Sequence, residues 1–166
     1  MRQIRLLLAT AALVSAGLFA TVASASAPPA KPFAAAVTED FSSSCAPRAT
    51  CGTAVTPYGP ATVLSRITGF VRLPSGCFSD HHTSTLTFAD GSTLALAVVG
   101  TLCPTDFLGN FRFSGSYSVP QGLSTARFSE ATGSGLVLAF RNNGPIHAVF
   151  VGTISLSPGQ GLNGSD

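Results

Sequence analysis

Charged residues make up only 10% of this chain, and Lys31 is its single lysine. The six arginines beyond the amino-terminal segment (Arg48, Arg66, Arg72, Arg112, Arg127, Arg141) are scattered, without the basic patch or stripe that nucleic-acid binding needs, which excludes that class of partner. Metal-ligand spacing is missing as well: there is no C-x-x-C and no H-x-x-x-H, so no metal site is expected, and no motif calls for a cofactor. The nucleophile elbow G-x-S-x-G is absent. Its nearest approach, Gly122-Leu123-Ser124-Thr125-Ala126, ends in alanine and follows Pro120 in a loop, without the strand-turn-helix context an elbow requires. After residue 22 no apolar run approaches the roughly 20 residues of a membrane-spanning helix. No segment there sustains a 3.6-residue period, apart from a single turn's worth near residues 123–127.

What the chain does have begins at its amino end. Arg2 and Arg5 precede an apolar run over residues 6–22 and the small-residue sequence Ala23-Ser24-Ala25-Ser26-Ala27, the pattern of a secretory signal peptide. Cleavage can follow Ala25 or Ala27, and Pro28 at the scissile bond of the later site favours Ala25, giving a signal over residues 1–25. Its removal leaves seven basic residues against seven acidic ones, a neutral exported protein. With 45% hydrophobic residues and surfaces of Ser and Thr, the remainder reads as one all-β domain.

Four cysteines in an exported chain point to two disulfides. Cys45 and Cys51 bracket a short loop. The other pair follows from strand register in the hairpin around Asp90-Gly91. A two-residue turn would mix its apolar and polar faces. A three-residue loop, Ala89-Asp90-Gly91, instead sets Leu86 opposite Leu94, Ser84 opposite Leu96 and His82 opposite Val98, with Thr85 and Thr83 facing Ala95 and Ala97 on the other side. Continued outward, this register puts Cys77 across from Cys103. Direct opposition spaces Cβ atoms slightly beyond disulfide span, so a distortion near Ser79 is expected.

Elsewhere, residues 26–60 read as a Pro- and Ala-rich leader followed by a disulfide-tied loop without strand period, with one short strand possible over residues 33–41. Residues 61–73 form a strand bent at Gly69. Residues 110–119 alternate Phe111, Phe113, Gly115, Tyr117 and Val119 against Arg112 and serines, and residues 136–140 and 145–156 supply further strands. Arg127 and Glu130 flank Phe128 and are placed to form a local ion pair, and residues 132–135 read as backbone-shaping. Residues 157–166 form a flexible tail. Short strands separated by turns over residues 61–156, with near-sequential hairpins, favour an antiparallel up-and-down β-barrel of about eight strands.

Gly115-Ser116-Tyr117, Arg127-Phe128 and Ala131-Thr132-Gly133-Ser134-Gly135 give the chain a resemblance to small secreted bacterial proteins grouped with the allene oxide cyclase and dirigent barrels. It spans residues 86–156 and departs from the usual Gly-rich loop at residues 119–128. The resemblance implies an eight-stranded antiparallel barrel with an apolar lumen, and hence a small apolar ligand. No residue role carries over from it. The apolar side of the alternating strands nominates Leu86, Leu94, Leu96, Phe113 and Tyr117 as lining. His82, on the same face, is the candidate acid, base or hydrogen-bond donor, against the plainer reading of a histidine satisfied near a strand end. Three functions are open: a non-enzymatic binder, a cyclase- or isomerase-type enzyme on an apolar substrate, and a structural or surface-interaction protein. Eleven Phe residues beyond the signal are enough to fill the barrel in the last case.

Overall fold

Alternation of small or apolar side chains with Ser and Thr runs through almost every segment, and a chain that buries one face of every strand must wrap that face around itself. The computed structural model describes residues 29–42 and 44–157. The proposed signal peptide, residues 26–28 of the leader and nearly all of the proposed tail lie outside them. Eight strands, β1 (Lys31–Asp40), β2 (Ala49–Thr56), β3 (Gly59–Arg72), β4 (Phe78–Phe88), β5 (Thr93–Pro104), β6 (Phe111–Ser118), β7 (Thr132–Arg141) and β8 (Ile146–Ser155), pair antiparallel in chain order. β8 returns to β1, from Lys31 opposite Ile154 to Glu39 opposite Ile146, so the barrel is closed and has no free edge. The only helical element among the described residues is one 3₁₀ turn, Ala126–Phe128.

The barrel starts at Lys31, not Ala61, which corrects the reading of residues 26–60. β1 alternates strictly, with Phe33, Ala35, Val37 and Glu39 inward. β2 lies where a patternless loop was expected because its inward side carries Thr50, Gly52 and Ala54, too small and polar to give an alternation signal. Gly52 has no choice of residue: a Cβ there would run into the Thr38 carbonyl and lie 2.8 Å from Glu39 Cα.

The β4–β5 hairpin takes the three-residue loop. Phe88 N–H donates to Ser92 O (3.0 Å), Gly91 N–H donates to Phe88 O (2.9 Å), and Gly91 has φ +77°. Leu86 pairs with Leu94, Ser84 with Leu96 and His82 with Val98, and the register continues unbroken to Phe78 opposite Leu102. Cys77 and Cys103 follow directly and are bridged, their Cα atoms 4.3 Å apart; Cys45 and Cys51 form the second disulfide. The distortion expected near Ser79 is instead in β3, where the register against β4 shifts between Ile67 and Gly69. Close approach of the strand ends accommodates the disulfide without a bulge.

Two glycine pairs, Gly100 opposite Gly115 and Gly135 opposite Gly152, face the lumen and make room for aromatic rings. Phe113 lies over the first pair, 2.5 Å from where a Gly100 Cβ would be, and Tyr117 over the second, 2.5 Å from a Gly135 Cβ and 2.6 Å from a Gly152 Cβ. Gly133 and Gly135 are therefore required for the space they leave open. None of these glycines adopts positive φ, which corrects the backbone-shaping reading of residues 132–135. Gly→Ala inside a strand ordinarily gains about 0.5–1 kcal/mol. Gly135→Ala is expected to reverse that sign and cost about 2–3 kcal/mol, because the new methyl meets backbone as well as Tyr117. Gly144→Ala, whose Cβ meets nothing nearer than 3.8 Å, serves as the neutral control in a urea titration.

The lumen is divided along its axis. At the end bearing the turns after β2, β4 and β6, the segment between β6 and β7 folds over the opening and drives Phe128 into it. Phe128 is fully buried, its ring centroid 5.3 Å from Tyr58 and 5.0 Å from Phe88. The segment is tied down by Ser124 Oγ accepting from Ala95 N–H (3.0 Å). Arg127 stacks over Phe88 and Phe128, donates to Ser92 Oγ and Tyr58 O, and sits 3.4 Å from Asp90. The ion pair proposed with Glu130 is thus replaced by one with Asp90, across the mouth of the β4–β5 hairpin. Beneath the plug, Phe33, Leu86, Leu94, Leu96, Tyr117 and Ile154 fill the barrel.

Burial pushes the Tyr117 phenol up to about 12 and, assisted by Tyr58 alongside, keeps it neutral. Tyr58 is raised by the same desolvation, against the pull of Arg127. Because the folded value lies above the ordinary phenol value, the stabilisation from Tyr117 is fully present below about pH 10 and is lost as pH rises through about 12. The expected result is a fall in melting temperature across that window that is reduced in Tyr117→Phe. At neutral pH the Phe variant should be no less stable, since Tyr117 Oη has no hydrogen-bond partner among the described residues.

Candidate functional site

The opposite half of the lumen is open. A cavity of about 350 Å³ occupies the end of the barrel that carries both disulfides, within the size range of small-molecule sites. One wall is apolar: Phe113, Val137, Ala139, Ala148 and Phe150, inward residues of β6, β7 and β8. Phe41, Ile67, Phe70, Phe111 and Ile146 line it nearer the strand ends.

The facing wall, built by β1 to β4, is polar. Glu39 is the fourth inward residue of β1, 8% exposed, in a register otherwise occupied by Phe33, Ala35 and Val37. Its carboxylate accepts from Thr50 Oγ1 (3.1 Å) and from Ser65 Oγ, and Ser65 in turn lies 2.7 Å from Ser84 Oγ. One row across four strands thus provides a hydrogen-bonded floor for a buried acid. Asp80 and His82 follow on β4, with Asp80 Oδ2 and His82 Nδ1 3.2 Å apart. Asp80 is 6% exposed, and its Oδ1 has no hydrogen-bond partner among the described residues.

The rim is held rigid. Cys45–Cys51 ties down the β1–β2 connection shortly after Phe41. The side chain of Asn110 and backbone N–H groups hold the Asp106 carboxyl below its ordinary range, and Asn110 also exchanges hydrogen bonds with Asn143 on the neighbouring loop. Phe107 and Leu108 stand exposed on the same rim.

Of the residues expected at the site, Phe113 and His82 line the cavity. Leu86, Leu94 and Leu96 are fully buried in the filled half and Tyr117 is packed between Phe33 and Phe150, so these four are core and not lining. Face and depth are separate: alternation places a residue inside the barrel, but its position along the strand decides whether it meets the plug or the opening. His81 faces outward, exposed, while His82 is inward and half-buried, against the Phe113 ring at 5.7 Å. Glu39, Ser65 and Ser84 were not singled out from sequence. The readable signal was Glu39 itself, a carboxylate on the apolar side of an alternating strand. No group of three or more potential metal ligands is present among the described residues.

Comparison of this chain with family models, curated proteins and solved structures finds no match.

Proposed function

We propose that this chain is an exported barrel that binds a small, largely apolar molecule in the open half of its lumen. The observation that carries the reading is the cavity of about 350 Å³ walled on one side by Phe113, Val137, Ala148 and Phe150. Two disulfides suit an oxidising compartment, in line with export. Native mass spectrometry of protein purified from its secreting host, with solvent extraction of what travels with it, tests the reading. An unchanged apolar molecule in stoichiometric amount is the expected result. Failure of any member of an apolar ligand panel to bind would overturn it.

A cyclase or isomerase acting on an apolar substrate is favoured by one observation, the contact of His82 with Asp80 inside the cavity, an arrangement suited to moving a proton. Conversion of an unsaturated epoxide that disappears in His82→Ala, with the fold intact, would replace binding by catalysis. The surface-interaction reading draws on the outer face of β7 and β8, where Leu136, Leu138, Phe140, Val149 and Val151 are all about half exposed or more. Sedimentation of the protein and of Leu138→Glu shows whether that face joins copies of the chain.

A further inference from the structure

An apolar ligand alone leaves Asp80 unexplained. A carboxylate 6% exposed, with one oxygen held by His82 and the other without a partner among the described residues, is costly to keep beside an apolar cavity. Glu39 has no such vacancy, since both its oxygens accept from Thr50 and Ser65, but it adds a second carboxylate to the lining.

We infer that the ligand is an organic cation, a small protonated amine on an apolar body, whose N–H groups are received by Asp80. The inference rests on the reading of the cavity as a binding site. An alcohol gives Asp80 a neutral donor and an ammonium a charged one, so only the ammonium forms an ion pair with the carboxylate as well as a hydrogen bond. An anionic head would meet two carboxylates. The one guanidinium in the lining, Arg141, opposes a cation. It is half-buried at the end of β7, however, with its Nε donating to Gly144 O (2.9 Å) and its charge over the Phe41 ring at 5.5 Å. That stacking also shows how the aromatic rim receives a cation.

Calorimetric titration of the disulfide-bonded protein at pH 7 with three probes of equal chain length, octylammonium, octan-1-ol and octanoate, tests the head-group preference. Octylammonium is expected to bind about tenfold tighter than octan-1-ol, the gain of one charge-assisted hydrogen bond, with octanoate weakest. Asp80→Asn is expected to remove that tenfold preference and leave octan-1-ol within about twofold of its wild-type affinity. Octanoate binding as tightly as octylammonium would overturn the inference, as would an undiminished preference in Asp80→Asn. The wild-type series decides the matter even if the variant fails to fold. Octan-1-ol binding without preference for the amine would sink the head-group inference alone. Absence of binding by all three would sink the cavity reading with it.

Discussion

Phe128→Ala is expected to lower the stability of this protein by about 3–5 kcal/mol, the range for removing a buried aromatic ring. Phe128 has no exposed surface and touches Tyr58 and Phe88 through its ring. Arg127 lies over the same ring at 4.9 Å, so the truncation also strips a partner from a guanidinium that bridges three loops of the plugged end. Little collapse can refill the space, because the strands around it are fixed by a closed ladder. For a domain of this size the loss corresponds to a fall of about 10–20 °C in melting temperature. Leu123→Ala in the same segment, where the side chain is exposed, should stay within about 0.5 kcal/mol. A loss under about 1 kcal/mol for Phe128→Ala would mean that the segment does not seal the barrel. The cavity lies at the other end, so apolar ligand affinity should be unchanged in this variant. A change in affinity would mean that the two halves of the lumen communicate.

Local pattern made the β4–β5 hairpin readable down to single pairs, because only one loop length keeps Leu86, Leu94 and Leu96 on one face and brings Cys77 to Cys103. The same logic failed on β2, whose inward residues Thr50, Gly52 and Ala54 are small, Gly52 because the Thr38 carbonyl leaves no room for a side chain. It was incomplete for the lining. Leu94 and Phe113 look alike in an alternating pattern, yet one sits in the filled half and the other in the open half, and that difference depends on how all eight strands are staggered. The polar row Glu39, Thr50, Ser65 and Ser84 comes from four strands, so no window of sequence contains it. Asp80 and His82 share one strand, so this part of the polar wall does fall within a single window of sequence. The glycines of β6, β7 and β8 carry information of another kind: Gly115, Gly135 and Gly152 mark places where the Phe113 or Tyr117 ring needs the room, and Gly133 one where Ile154 and the Thr153 carbonyl come close.

The two disulfides should differ in what they contribute, and the difference follows from the chain each one closes. Cys77–Cys103 spans a sequence separation of 26 and Cys45–Cys51 a separation of 6. Loop-closure entropy in the unfolded chain gives about 3.5 kcal/mol for the first and about 2.3 kcal/mol for the second. Cys77→Ala/Cys103→Ala is therefore expected to lose about 1 kcal/mol more than Cys45→Ala/Cys51→Ala in urea unfolding. The native register is compatible with the larger figure, since Phe78 and Leu102 pair directly beside the first bridge. Removing both should approach the 5–15 kcal/mol that such domains possess in total, leaving the reduced protein largely unfolded at 37 °C. The ranking separates two accounts of these bridges. If the short loop proves the more costly to open, its role is enthalpic and local, fixing Phe41 at the cavity mouth. In that case ligand affinity would fall with the Cys45–Cys51 variant and not with the other.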